Sequence, residues 1–205
     1  MKVINLPKRI CPRCGSKNTA TILWGMPAMT QELQDKLDKK EIVLGGCCIE
    51  IPTPSYHCNT CRKDFGGSYF AEPTFIKELY FYVGGFFGTS HWIYLNTEKL
   101  GKTLRYAFSD GCGIDIKAEC ADCNNITLIP IEEKWIEFNN DLLRCYFIDW
   151  KSRYIDRNIL DGTQWELNVT FDNGTTIKRY GSNVYPPHWK KLITMFHKYD
   201  LPIIR

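Results

Sequence analysis

The sequence has little net charge and no long apolar run, and both shortages exclude classes of protein. Lysine and arginine number 26 against 23 aspartate and glutamate residues, so the formal net charge of +3 is too small for the whole chain to be a general polyanion binder. The most apolar stretch, residues 79–95, is interrupted by three glycines and by His91. It is therefore too polar for a membrane span, which needs about 20 apolar residues. The first residues lack the apolar run of a signal peptide, so we expect a cytoplasmic protein.

Recognisable catalytic motifs are scarce as well. Ser90 and His91 have no partnered acid and no nucleophile-elbow sequence around them, and His188 and His197 are isolated. The glycines of residues 84–88 lack the Gly-Lys-Ser/Thr ending of a phosphate-binding loop. The chain also contains no internal repeat that would indicate a solenoid or an array.

Cysteine, by contrast, is abundant, with ten residues in a chain of 205. In a reducing cytosol these thiols are metal ligands or buried side chains, and disulfides are rare. The excess of positive charge is confined to residues 1–72, which contain ten basic and seven acidic residues, and the cysteine pattern changes near Pro73. We therefore predict two domains, at 9–70 and at 75–205.

Two Cys-x-x-Cys motifs lie in the first domain: Cys11 with Cys14, and Cys58 with Cys61. A tight turn, or knuckle, lets both sulfurs of such a pair point at one cation, and Gly15 relieves the backbone after the second thiolate. Two knuckles complete a tetrahedral shell of four thiolates, which leaves no coordination position for water or substrate. The pattern predicts structural Zn²⁺ in a zinc ribbon. Iron in a rubredoxin-like site is an alternative, as is replacement of one ligand by His57.

Positive charges crowd the two knuckles, and we select four of them as candidate contacts to nucleic acid or to another partner: Arg13, Lys17, Arg62 and Lys63. One explanation is a nucleic-acid footprint, supported by nearby aromatic residues such as Tyr56 and Phe65. The plainer explanation is that these cations offset the doubly negative charge of zinc bound by four thiolates. The sequence leaves both explanations open.

The residues between the knuckles predict a helical insertion followed by a strand. Thr30 is a candidate N-cap for a short helix over 30–40, which has an acidic first turn and a basic last turn. Residues 41–51 predict a strand bent at a glycine pair. Cys47 and Cys48 within it are expected to be core thiols.

Several segments of this domain resemble the zinc-ribbon region of uncharacterised bacterial proteins. They are Cys-Pro-x-Cys-Gly-Ser-Lys-Asn at 11–18, Gly-Met-Pro at 25–27, Ile-Val-Leu-Gly-Gly-Cys at 42–47 and Tyr-His-Cys at 56–58. The resemblance covers about the first 70 residues. It implies zinc and a bacterial or phage setting, and it carries no activity.

The second domain is predicted to be a mixed β-sheet with two helices. Aromatic and β-branched runs predict strands at 79–83, 86–87, 92–95 and 103–108. Apolar residues at three- and four-residue spacing predict helices over 131–146 and 187–199. The runs at 164–171 and 175–180 flank Asn173-Gly174, which we expect to supply the positive φ angles of a hairpin turn. Together the two domains predict an α+β fold.

Four cysteines of this domain are candidates for a second metal site: Cys112, Cys120, Cys123 and Cys145. Only one pair has Cys-x-x-Cys spacing, and Cys145 falls within a predicted helix. A second metal, a redox pair and unmetallated thiols are therefore all open, with unmetallated thiols the favoured interpretation.

Part of a nuclease sequence motif is present in the second domain. Asp115 followed by Glu132 and Lys134 matches the acid and the Glu-x-Lys of restriction-endonuclease-like nucleases, whose carboxylates hold Mg²⁺. The pattern is short, and Glu132 and Lys134 fall at a predicted helix start, whereas the nuclease pattern requires a strand. A metal-dependent nucleic-acid-processing enzyme is therefore the alternative function.

A second resemblance involves the C-terminal residues. Asp-Gly-Thr-x-Trp at 161–165 and Gly-Ser-Asn-x-Tyr-Pro at 181–186 resemble a C-terminal module of uncharacterised bacterial proteins, for which no function follows. The turn residues Ser182, Asn183 and Tyr185 have two explanations, as architecture or as the lining of a ligand cleft.

These observations favour a non-enzymatic, zinc-binding protein with a binding or regulatory role. We expect it to contact protein or nucleic acid, through the ribbon or through the aromatic sheet of the second domain, and to have no association with a membrane.

Overall fold

The computed structural model describes residues 9–85, 88–110, 113–118, 126–159 and 161–203. The described residues form a mixed α+β fold with two sheets and four α-helices, in which strands predominate. The chain divides into two compact units, an N-terminal unit (Met1–Pro73) and a C-terminal unit (Thr74–Arg205), each with its own sheet. No helix within the described ranges is long and apolar enough to cross a membrane.

The N-terminal unit is a four-stranded sheet with one helix. Its elements are β1 (Thr19–Trp24), α1 (Gln31–Asp38), β2 (Ile42–Gly46), β3 (Thr53–Cys58) and β4 (Asp64–Ser68). The strand order is β2-β1-β3-β4, with β1 and β2 parallel and the other pairs antiparallel. The predicted helix is confirmed: the Thr30 hydroxyl accepts a hydrogen bond from the Leu33 N–H at 3.2 Å, and Leu33 is buried.

The strand predicted over 41–51 is wrong in its second half. Strand β2 ends at Gly46, and Cys47 and Cys48 are exposed rather than in the core. A Cβ at Gly45 would lie 2.6 Å from the Trp24 ring, so the side chains of β1 cover this position closely, and Gly46 follows with a φ of +90°. The register also shifts between β1 and β2 at this point. The chain therefore leaves the sheet before the two cysteines.

The C-terminal unit is built on a seven-stranded sheet. Its strands are β5 (Ile76–Gly85), β6 (Ser90–Asn96), β7 (Thr103–Ser109), β8 (Ile126–Pro130), β9 (Arg153–Ile155), β10 (Thr163–Phe171) and β11 (Thr176–Ser182). The order is β8-β7-β6-β5-β10-β11-β9, and β9–β11 is the one parallel pair among them. The strands predicted at 79–83, 92–95 and 103–108 are confirmed, while residues 86–87 lie outside the described residues.

The predicted hairpin is confirmed as β10–β11, but its turn differs from the expected one. Gly174 has a φ of +85°, whereas Asn173 has no positive φ. The Gly174 N–H donates to the Phe171 carbonyl at 3.0 Å, and the Phe171 N–H donates to the Thr175 carbonyl at 2.9 Å. A longer turn of this kind needs one left-handed residue, which glycine supplies.

Three α-helices belong to the C-terminal unit, α2 (Thr97–Leu100), α3 (Trp135–Leu143) and α4 (Trp189–Lys198), with a 3₁₀ turn at Phe147–Asp149. Helix α3 is shorter than the predicted 131–146 because residues 131–134 form a preceding turn and Tyr146 is left-handed, with a φ of +59°. Asn139 fixes α3 to the sheet. Its side chain is buried, accepts from the Ile76 N–H at 2.8 Å and donates to the Trp135 carbonyl at 2.8 Å.

Helix α4 packs on one face of this sheet. Strand β10 alternates buried and less buried residues, as expected for a strand with one covered face. The Trp189 ring lies 5.0 Å from Trp165 and 5.8 Å from Phe81, measured between centroids, and Phe196 lies 4.9 Å from Phe81. The core of the unit therefore lies between the sheet and this helix.

Candidate metal centre

The structure brings the four predicted ligands together. The sulfur atoms of Cys11, Cys14, Cys58 and Cys61 all lie within 4.8 Å of one another, and this is the one group of three or more His, Cys, Asp or Glu side chains within the described ranges that is close enough to hold an ion. The Sγ atoms of Cys11 and Cys61 are 3.7 Å apart, and those of Cys14 and Cys58 are 3.6 Å apart. A tetrahedral zinc with bonds of about 2.3 Å to sulfur requires sulfur separations of about 3.8 Å. The donor set fits such an ion.

The two knuckles have matching backbone hydrogen bonds. The Gly15 N–H donates to the Cys11 carbonyl at 2.9 Å, and the Arg62 N–H donates to the Cys58 carbonyl at 2.8 Å. Gly15 has a φ of +76° and Arg62 a φ of +55°, so both knuckles need a left-handed residue after the second cysteine. Glycine adopts this conformation freely, whereas arginine does so at a cost of about 1 kcal/mol. The left-handed residue of the first turn was therefore predictable from Gly15, whereas Arg62 gave no such indication for the second turn.

Strand pairing and cross-links between the turns hold the knuckles side by side. Thr19, at the start of β1, pairs with Cys58 at the end of β3. The Asn59 N–H donates to the Asn18 carbonyl at 3.0 Å, and the hydroxyls of Ser16 and Thr60 are 2.7 Å apart. Two segments that are more than 40 residues apart in sequence thereby form a single site.

The cysteines differ in exposure and in their ease of ionisation. Burial raises the pKa of the Cys11 thiol to about 12. Burial acts in the same direction on Cys58, but the backbone N–H groups of Cys61 and Thr60 outweigh it and lower the Cys58 pKa to about 7. Burial also raises the pKa of Cys61, while Cys14 is exposed. Because metal ligands are thiolates, the N–H groups around Cys58 favour the form that binds metal.

The aromatic residues near the knuckles are buried or half-buried. Phe65 is buried against Cys11 and Cys58, and its ring stacks on Tyr56 at 5.5 Å. His57 lies outside the four-cysteine group, and its Nδ1 is 2.6 Å from the Asp64 carboxylate. The replacement of a cysteine ligand by His57 is therefore not supported by this geometry.

The four selected cations are all exposed: Arg13, Lys17, Arg62 and Lys63. Among the described residues, none of them forms an ion pair. Lys40 is exposed in the same way, and its carbonyl accepts a hydrogen bond from the Asn59 side chain at 3.0 Å, which places this lysine next to the second knuckle. The sequence interpretation missed Lys40 because it lies 18 residues before Cys58.

The candidate second metal site receives no support from Cys145. This thiol is buried, donates to the Asp141 carbonyl at 3.3 Å and has its pKa raised to about 12 by burial. Cys112, Cys120 and Cys123 lie outside the described residues. A metal held by Cys145 together with them stays a prediction.

The residues of the nuclease pattern do not gather into an ion-binding group. Asp115 is exposed and its carboxylate accepts from the Lys117 N–H at 3.1 Å. Glu132 precedes α3 and forms an ion pair with Lys102 at 2.6 Å, and Lys134 is the N-terminal residue flanking that helix. Neither carboxylate belongs to a group of three or more metal-ligating side chains among the residues described.

The turn after β11 is tied down by its own contacts. Asn183 has a φ of +60° and its N–H donates to the Thr163 carbonyl at 2.8 Å. The Ser182 hydroxyl accepts from Gln164 at 2.9 Å, and the Tyr185 ring lies 4.8 Å from Trp189. These contacts account for Ser182, Asn183 and Tyr185 as architecture, and the ligand cleft stays a prediction.

The aromatic face of the C-terminal sheet is partly covered. Ile116 packs on Trp92 and Tyr94, which are both buried, and the Lys117 ammonium lies 5.2 Å from the Tyr80 ring centroid. This covering reduces the aromatic surface on which a partner would bind.

Comparisons with protein-family models, with curated proteins and with solved structures found no match. The description of the protein therefore rests on its fold and on the four-cysteine site. It is a mixed α+β protein with a four-cysteine centre that can bind a metal ion.

Proposed function

We propose that this chain is a zinc-binding, non-enzymatic protein with a binding or regulatory role, and that its N-terminal unit is a zinc ribbon. The observation that carries the proposal is the group of four cysteine sulfurs within 4.8 Å of one another, in which two pairs have nearly the separation of about 3.8 Å that tetrahedral zinc requires. The resemblance of the knuckle segments to bacterial zinc ribbons supports the choice of zinc and a bacterial or phage setting.

The metal's role follows from its coordination. Four thiolates fill the shell of a tetrahedral ion, so water and substrate have no position on it. The described residues of the N-terminal unit include few buried hydrophobic side chains, as expected for a small unit whose folding depends on a metal: Cys11, Ala20, Ile22, Leu33, Ile42, Cys58 and Phe65. Zinc would hold the knuckles together and leave their outer surface for a protein or nucleic-acid partner.

The test is a metal analysis of protein purified without chelators. We expect one zinc per chain, retained through dialysis and released on acidification, when the four thiolate ligands take up protons. One iron per chain, recognisable by visible absorption from iron–thiolate bonds, would show that the shell is occupied by a different metal. Protein that is folded at residues 9–70 without any bound metal would refute the proposal.

A further inference from the structure

Five exposed cations lie in or next to the turns that form the metal centre. We call this surface the knuckle face and define its cations as Arg13, Lys17, Lys40, Arg62 and Lys63. Asn59 in the second knuckle donates hydrogen bonds to Asn18, which follows the first knuckle, and to the Lys40 carbonyl. These bonds join the three segments that contain the five cations. The three turns that carry these cations are therefore held in one arrangement.

The charge on this face exceeds what the metal centre requires. A divalent ion with four thiolates is doubly negative, which two of the five cations would offset. The Asp64 carboxylate beside the second knuckle lies 2.6 Å from His57 Nδ1. Counted as a full negative charge, it still leaves two of the five cations without compensation. The five cations form no ion pairs among the described residues. The knuckle face therefore retains a positive surplus that compensation of the metal does not explain.

The side chains between the cations are short and polar. Ser16, Asn18, Asn59 and Thr60 supply hydroxyl and amide groups, and residues 13–18, 39–40 and 59–63 contain no Leu, Ile, Val, Met or aromatic residue. Lysine, arginine, serine, threonine and asparagine side chains are the usual donors to phosphate oxygens. Protein–protein interfaces, in contrast, are usually built around an apolar, often aromatic centre, which this surface lacks.

We propose that the knuckle face binds the phosphate backbone of a nucleic acid. The inference rests on the proposed function, because the metal holds the knuckles in place. The face presents charge and hydrogen-bond donors without aromatic stacking surfaces, so it binds without regard to base sequence. Duplex DNA and single-stranded RNA share the phosphodiester chemistry, and the experiment distinguishes between them.

The experiment measures binding of the full chain to a fluorescent duplex DNA of random sequence and to a single-stranded RNA, by anisotropy over a salt series. Five phosphate contacts predict a slope of log K against log salt of about −4.5 for duplex and about −3.5 for single strands. On the duplex slope, affinity between 50 and 200 mM salt falls by about five hundredfold. Whichever of the duplex DNA and the single-stranded RNA binds more tightly at 150 mM salt is the preferred ligand of the knuckle face.

The test variant is Lys17→Glu with Lys63→Glu, and its matched control is Lys178→Glu with Lys190→Glu, two exposed lysines of the C-terminal unit. Both double variants have the same net charge. Removal of two contacts should reduce the slope on duplex DNA by about two, and affinity should fall at least tenfold at low salt, whereas the control should stay near the unsubstituted protein.

Metal content is measured on the same samples, which separates this inference from the proposed function. Bound metal with absent or salt-insensitive nucleic-acid binding would overturn the inference and leave the zinc ribbon standing. Equal losses in the two double variants would also overturn it, because they would show a response to net charge alone. Tighter binding to a polyglutamate peptide than to either nucleic acid would assign the face to an acidic protein instead. A chain that is folded at residues 9–70 without bound metal would refute the proposed function first.

Discussion

Replacing Cys58 with serine tests whether a metal ion holds the N-terminal unit together. Cys58 has no exposed surface, its sulfur lies 3.6 Å from that of Cys14, and its carbonyl closes the second knuckle. The substitution removes one ligand from the shell and leaves a smaller, poorly coordinating hydroxyl in its place. The control is Cys48→Ser, which makes the same chemical change at an exposed thiol outside the four-cysteine group.

The magnitude follows from the ligand count. Structural zinc contributes about 10–16 kcal/mol of apparent binding free energy at neutral pH, so one of four ligands accounts for about 2.5–4 kcal/mol if the ligands share it evenly. That loss corresponds to metal affinity lower by about a hundredfold to a thousandfold. Four large hydrophobic side chains are buried among the described residues of this unit: Ile22, Leu33, Ile42 and Phe65. Each contributes about 1.5–3 kcal/mol, which is too little to fold a unit of this size without the metal.

The assay combines metal analysis with hydrogen–deuterium exchange resolved by peptide. We expect Cys58→Ser to lose its metal and the protection of residues 9–70, while peptides of the C-terminal unit keep theirs. Cys48→Ser should retain both the metal and the exchange pattern. Full protection of residues 9–70 in metal-free Cys58→Ser would refute the reasoning, as would an equal loss in the Cys48→Ser control.

Three further predictions concern the C-terminal unit. Asn139→Ala should lower the free energy of unfolding in urea by about 1–3 kcal/mol, because the buried Ile76 N–H loses its side-chain acceptor. Asn140→Ala, on the exposed side of α3, should change it by less than about 0.5 kcal/mol, and equal effects of the two substitutions would contradict this. Burial tends to raise the pKa of Asp141, but hydrogen bonds from Lys198 and Tyr199 outweigh it and hold that pKa below its ordinary value. The contribution of ionised Asp141 to the free energy of unfolding is therefore complete above the pKa of the unfolded state and is lost as pH falls through the pKa of the folded state. Asp141→Asn should make the free energy of unfolding fall less steeply as pH is lowered, and an unchanged pH dependence would refute this. Gly181→Ala should lower stability by about 1–3 kcal/mol, since a Cβ there would lie 2.3 Å from Trp165 Nε1, and an unchanged Tm would contradict the close contact.

Local patterns in the sequence predicted features that depend on a few neighbouring residues. Thr30 as N-cap and the acidic first turn predicted α1, and Gly174 marked the β10–β11 hairpin. The strand at 47–51 failed because its pattern carried no information about the close approach of Gly45 to Trp24. Five strands were not predicted: β1, β3, β4, β8 and β9. They are short or weakly patterned, and their pairing depends on partners remote in sequence.

Cys-x-x-Cys spacing predicted that Cys11, Cys14, Cys58 and Cys61 share an ion, because that spacing acts through the geometry of one turn. The two turns meet because strand β1 pairs with β3, and Arg62 takes the left-handed conformation that Gly15 takes in the first knuckle. The exposure of Cys47 and Cys48 and the position of Lys40 beside Asn59 also depend on the three-dimensional packing. Exposure and proximity across the chain depend on how distant segments pack, and one-dimensional spacing does not contain that information.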